Sequence, residues 1–141
     1  MTTYVVDASA LLRFIEDEPG AARVEELLNQ ARNGNARIVV SAVNWGEVFY
    51  LLARAKGEDQ AVSYSIQFRN LPVEIIPSDW HRAESAGLFR EKLRLPHADS
   101  FAGSLAAEQS AVLVTADYDF KKAADAITVE FLPVKPKRRG R

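Results

Sequence analysis

Two spacings of apolar residues organise the chain. Short β-branched runs at 3–7, 37–41, 72–76, 111–115 and 128–131 read as strands buried on both faces. Between them, apolar positions recur every three or four residues. This spacing predicts helices over 9–17, 21–32, 42–56 and 58–70, another from a cap at Ser78 to residue 93, one over 99–109, and a short one over 120–126. Ser9 is the expected cap of the first helix. Breaks fall at Glu18-Pro19-Gly20, Asn33-Gly34-Asn35, Gly57 and Leu95-Pro96-His97. Strands alternating with helices predict an α/β fold: a three-layer sandwich around a five-stranded, mostly parallel sheet.

Size and composition narrow this reading. The chain has 141 residues, 48% hydrophobic and 26% charged, which suits one globular domain, expected over 1–134. With no cysteine, there are no disulfides, thiolate nucleophiles or cysteine zinc sites. The apolar runs fall well short of the ~20 residues that span a bilayer. Met1-Thr2-Thr3 offers no basic region ahead of the first apolar run, so a cytoplasmic protein is expected. The net charge of -1 conceals an asymmetry. Residues 135–141 hold five of the 18 Lys and Arg and no acid, leaving 13 against 19 Asp and Glu in the body. Such a basic tail on an acidic body can meet a polyanion or simply be solvated.

Four acids stand where a soluble α/β fold usually puts something else. Asp7 ends the strand Tyr4-Val5-Val6, and Asp117 follows Val112-Leu113-Val114-Thr115-Ala116. Ligands of parallel sheets bind outside the carboxyl ends of the strands, so these two are expected to meet. Glu47 lies on a helix face with Val43, Gly46, Tyr50 and Leu51, where a carboxylate is costly unless coordinated or paired with Arg13 or Arg54. Asp99 opens a helix of small residues, and taken alone reads as an N-cap. Asp117 and Asp119 alone read as a turn. Gathered together, the acids would repel one another unless protonated or bound to a cation, and they would form an oxygen site for a hard divalent metal. Ser9 and Thr115 sit beside them and can orient carboxylates by hydrogen bonds. His81 and His97 have no distinguishing spacing, and Trp45 and Trp80 read as core or interface rings.

Four segments in order, Val5-Val6-Asp7-Ala8-Ser9, Asn44-Trp45-Gly46-Glu47-Val48, Asp99 with its small-residue helix, and Leu113 to Phe120, resemble the PIN-domain family of metal-dependent nucleases. More narrowly, they resemble its VapC-type ribonuclease toxins. The resemblance runs from Tyr4 to about Leu132. It implies a strand order 3-2-1-4-5 and a metal site on Asp7, Glu47, Asp99 and Asp117, with Asp119 as an additional acid and Ser9 and Thr115 in support. It also implies a homodimer silenced by a small antitoxin whose C-terminal segment lies across the site. Ser100 departs from the Ala common in the family, and the basic extension from Lys135 lies outside the pattern.

The expected chemistry is phosphodiester hydrolysis in single-stranded or looped RNA, assisted by Mg²⁺ or Mn²⁺. Asp7, Asp99 and Asp117 would be the main ligands, with Glu47 binding directly or through water. Trp45, Phe49, Tyr50, Tyr64 and Phe68 are the expected dimer surface. Two other readings stay open: a phospho-accepting signalling domain, which needs a lysine such as Lys121 or Lys122 at the site, and a catalytically idle domain that binds RNA or protein.

Overall fold

The computed structural model describes residues 1–136. The expected basic tail therefore lies mostly outside the described residues; within them, Lys135 pairs with Glu18 at 2.5 Å. In chain order the elements are β1 (Thr2–Val6), α1 (Ala8–Ile15), α2 (Ala21–Arg32), β2 (Ala36–Ser41), α3 (Ala42–Lys56) and α4 (Glu58–Phe68). Next come β3 (Glu74–Ile76), α5 (Trp80–Leu93), α6 (His97–Gln109), β4 (Val112–Thr115), a 3-10 helix (Tyr118–Ala123) and β5 (Thr128–Phe131). The strands form one sheet in the order β3-β2-β1-β4-β5, and every pairing is parallel.

Each central strand is buried on both faces, so its successive residues enter different cores. Val6, Ile38, Val40 and Val114 pack with α1 to α4. Val5, Val39 and Leu113 pack with α6 and the 3-10 helix. α5 lies against α6 where Gly103 leaves room for the Phe89 ring; a Cβ at that position would collide with it.

Several boundaries differ from the sequence reading, each for a local reason. Asp7, not Ser9, caps α1, because its carboxylate accepts the Ala10 N–H. Asp79, not Ser78, caps α5 through the Arg82 N–H. α6 starts at His97 after Pro96, so Asp99 lies inside its first turn. The element near 120 is a tight 3-10 helix capped by Asp117.

The aromatic residues of α3 and α4 are largely used within the chain. Trp45 stacks on Phe68 with ring centroids 4.2 Å apart, and Phe68 is buried. Among those five rings, only Tyr50 is strongly exposed.

Candidate metal centre

Sheet register brings the first acid to its place. Val6 pairs with Val114, and the Asp7 N–H donates to the Val114 carbonyl at 3.2 Å. One step further on, Thr115 therefore lies beside Asp7. The Thr115 hydroxyl donates to Asp7 Oδ2 at 2.5 Å and accepts the Asp117 N–H at 2.9 Å. Ser9 donates to Asp7 Oδ1 at 2.7 Å and accepts the Ala116 N–H at 2.8 Å. With the Ala10 N–H at 2.9 Å, both oxygens of Asp7 are satisfied by the protein. Asp7 is 2% exposed, and burial pushes its pKa up to about 6. The bonds from Thr115, Ala10 and Ser9 pull the other way, and the charge of Asp117 adds slightly to the rise.

Asp99 is placed differently. It stands in the first turn of α6, where the helix dipole favours an anion. Its Oδ2 is buried and has no hydrogen-bond partner in the protein. Burial, then a hydrogen bond with the Asp117 carboxyl and its charge, and then the charges of Asp7 and Glu47 hold its pKa well above the usual range, so a proton on Asp99 is shared toward Asp117. Ser100 does not disturb the site, since its hydroxyl turns back to donate to the Pro96 carbonyl at 2.9 Å.

Glu47 corrects one expectation. The buried face of α3 is Asn44, Val48 and Leu52, while Gly46 and Tyr50 are exposed, so Glu47 sits at the margin of the core rather than within an apolar face. Neither arginine considered as a partner pairs with it. Arg13 donates to the Pro19 and Pro133 carbonyls, and Arg54 to the Tyr50 hydroxyl. Burial first, then the charge of Asp117, raises its pKa. Every resolved influence on Glu47 and Asp99 pushes upward, and no cation offsets it.

Asp117 uses Oδ1 to accept the Asp119 N–H. Asp119 is exposed and adjoins Asp117 through that backbone bond. His97 packs its ring edge-on against Phe101. Asn44, to which the sequence pattern assigns no task, holds two elements of the site together. It is 1% exposed, its Nδ2 donates to the Ala98 carbonyl at 3.0 Å, and its Oδ1 lacks a partner. It ties α3 to the first turn of α6, and so ties Glu47 to Asp99. Its four-residue spacing to the apolar Val48 and Leu52 was the available signal.

Two observations on cation binding pull in different directions. Among the described residues, no three acidic or histidine side chains are already close enough to form a metal cage. Yet the charge of Asp117 raises the pKa of Asp7, Glu47 and Asp99, and Asp7 and Glu47 add to the rise at Asp99. Asp99 and Asp117 lie within hydrogen-bonding reach of one another, while Asp7 and Glu47 act on Asp99 through charge alone. An all-oxygen donor set with an unpartnered buried carboxylate oxygen fits a hard divalent cation.

The PIN domain model matches residues 4–126. This chain belongs to the PIN domain family. No curated protein matches it by sequence. Among solved structures, this PIN domain is similar to VapBC2 from Rickettsia felis bound to a DNA fragment from their promoter, at 22% identity and TM-score 0.76, covering 94% of this chain and 100% of that one. It is also similar to VapBC-1 from nontypeable Haemophilus influenzae, at 18% identity and TM-score 0.70, covering 92% and 98%. A third is Mycobacterium tuberculosis VapC20, described as a sarcin–ricin loop cleaving toxin, at 16% identity and TM-score 0.65, covering 94% and 99%. At these identities the likeness is one of fold.

Proposed function

We propose that this PIN domain is a Mg²⁺- or Mn²⁺-dependent endoribonuclease that acts as the toxin of a toxin–antitoxin pair in the cytoplasm. The observation that carries this reading is the unpartnered buried oxygen of Asp99, set among three further acids with no cation to offset them. Asp7, Asp99 and Asp117 would hold the ion, with Glu47 binding directly or through water. Bound there, a divalent ion supplies charge neutralisation and Lewis acidity for phosphodiester hydrolysis.

The chain's own residues then divide the work. Thr115 and Ser9 lock the orientation of Asp7 from two sides. Thr115 also holds the backbone of Asp117, so one hydroxyl couples two of the acids. Asn44 keeps the Glu47 and Asp99 helices in register. In the ion-free protein, Asp99 keeps a proton, which limits the repulsion. Unpaired RNA is the preferred substrate, because its backbone and bases can be splayed into an open site.

The partner reading draws on solved structures of similar fold described as a toxin–antitoxin complex from Klebsiella pneumoniae and as a member of the VapBC family of toxin–antitoxin systems from Mycobacterium tuberculosis. A small antitoxin with an Arg or Lys directed at the acids would neutralise them as an ion does. Self-association is proposed through α3 and α4, where Tyr50, Val62 and Ile66 are exposed. The phospho-acceptor reading is disfavoured: the Lys121 Nζ lies 5.4 Å from the centroid of the Tyr118 ring, and Lys122 donates to the Arg94 carbonyl.

The test is cleavage of RNA with Mg²⁺ or Mn²⁺, with and without EDTA. Products with 5′-phosphate and 3′-hydroxyl ends, lost in EDTA, are expected. Cyclic phosphate ends, or cleavage indifferent to EDTA, would sink the metal reading and return attention to His81 and His97. Light scattering checks the dimer, and co-purification from native cells checks the antitoxin.

A further inference from the structure

A groove of about 580 Å³ lies between the C-terminal end of α5, the start of α6 and the 3-10 helix. Arg90, Arg94 and Lys122 line it, and so do Glu91, Pro96 and Asp119. Asp119 belongs to the stretch that holds Asp117, and Pro96 caps the helix that holds Asp99. The groove is thus continuous with two of the elements that carry the acids. Among the described residues, none of the three cations pairs with a carboxylate, although Glu91 stands only three positions before Arg94. By contrast, Arg23, Arg37 and Arg82 all hold glutamates.

Arg94 carries the sharper observation. It has left-handed backbone angles, φ 56 and ψ 42, at the C-cap of α5. Glycine or asparagine is the usual residue there, because a Cβ is strained in that region. The cap bond from its N–H to the Arg90 carbonyl, at 2.7 Å, needs no side chain. The next residue, Leu95, is buried and fixes the backbone, so the arginine projects from a rigid base. The dipole of α5 accounts for cations in its last turn. Lys122 comes from the 3-10 helix and donates to the Arg94 carbonyl at that same end, but the dipole does not account for an arginine at the strained position.

We propose that Arg90, Arg94 and Lys122 form a backbone track for single-stranded RNA, gripping phosphates on one side of the bond presented to the acids. This rests on the nuclease reading above and adds which surface delivers the substrate. Charge supplies the reason. The acids repel an approaching polyanion, and cations held by no carboxylate on the elements that adjoin them offset that repulsion. The same cations would repel a peptide that brings Arg or Lys to the acids, so the groove suits RNA rather than such a partner. Contacts to phosphate position a strand without reading its sequence, so the track sets register and not base preference.

The test compares the full-length wild-type chain with its R90Q/R94Q/K122Q variant. Binding of a fluorescein-labelled oligouridylate is followed by anisotropy across a KCl series in EDTA. The variant should bind at least about 10-fold more weakly, with a salt slope shallower by about 2, since each single-strand phosphate contact contributes about 0.7. Its melting temperature and its Mn²⁺-dependent hydrolysis of bis(p-nitrophenyl) phosphate should match wild type, because neither uses the track. Arg94→Gly alone should weaken binding while leaving the melting temperature unchanged or raised. An unchanged salt slope in the triple variant overturns the proposal. So does a triple variant that binds RNA normally but no longer retains a co-expressed partner protein, which would assign the groove to protein. If the triple variant shows the expected slope difference yet wild type cleaves no RNA with Mg²⁺ or Mn²⁺, the nuclease reading fails and the track stands. If wild type cleaves and the slopes agree, the track alone fails.

Discussion

Asp7 and Asp99 are two carboxylates at the starts of two helices, and the fold treats them in opposite ways. Asp7 caps α1, and its oxygens accept from Ala10, Ser9 and Thr115. Asp99 sits two residues inside α6 and leaves a buried oxygen without a partner. Burial raises the proton affinity of both. At Asp7 the protein's own donors counter that rise, whereas at Asp99 neighbouring acids add to it. The difference separates a carboxylate held by the scaffold's donors from one whose neighbours are other acids.

Asp99→Asn gives the comparison its hardest test. RNA cleavage should fall on the order of 1,000-fold, within the range for groups acting at the reacting atoms. Without metal, the variant's melting temperature should be unchanged at neutral pH, because protonated Asp99 and Asn are both uncharged, and should exceed wild type at higher pH, where Asp99 would ionise among the other acids. Full activity in a gel assay would refute its assignment as a ligand.

Proton linkage probes both acids together. The folded chain holds a proton on Asp7 up to about pH 6, whereas the unfolded chain releases it near 3.8. Folding therefore takes up a proton between these values, and stability falls as pH rises through that window. The fall should be about 3 kcal/mol from Asp7, at about 1.4 per pKa unit. Asp99 and Glu47, also raised, continue it in the same direction. Urea titrations at several pH values measure this, and added Mg²⁺ should flatten the curve. Stability that rises with pH in the ion-free protein would contradict the picture.

Thr115→Val removes the donor that most favours ionised Asp7, together with the acceptor for the Asp117 N–H. A loss of about 1–3 kcal/mol in stability is expected from the polar groups left unpaired. Cleavage should drop about 10- to 100-fold, as it does when a group orienting a ligand is lost. Normal kinetics would show that Asp7 is held without it.

The smallest effect separates cap from charge. Asp7→Asn keeps an oxygen for the Ala10 N–H, and Asp7→Ala does not. Metal-free Asp7→Ala should be less stable than Asp7→Asn by about 1 kcal/mol, the usual worth of an N-cap. Equal stabilities by chemical denaturation would mean that the cap contributes nothing.

Much of this molecule was decided by local pattern. β-Branched runs alternating with helical spacing specify a parallel sheet, because strands buried on both faces need apolar residues at every position. Strand-end acids mark the end of such a sheet where ligands bind. The cap of α1 was not legible. Ser9 and Asp7 are both good caps by type, and only the neighbouring Thr115 and Ala116 draw Ser9 toward the sheet. Glu47 was misplaced on its helix because several apolar stripes are compatible with residues 42–56. Packing against α6 selected the one through Asn44, Val48 and Leu52. The rings of α3 and α4 looked free for a dimer until Trp45 and Phe68 met across the helix pair. Sequence by itself determined periodicity, strand ends and the presence of the acids, since each depends on neighbours along the chain. Only the tertiary structure decided which carboxylate oxygen finds a donor and which does not, because donors more than a hundred residues away are brought in by strand register.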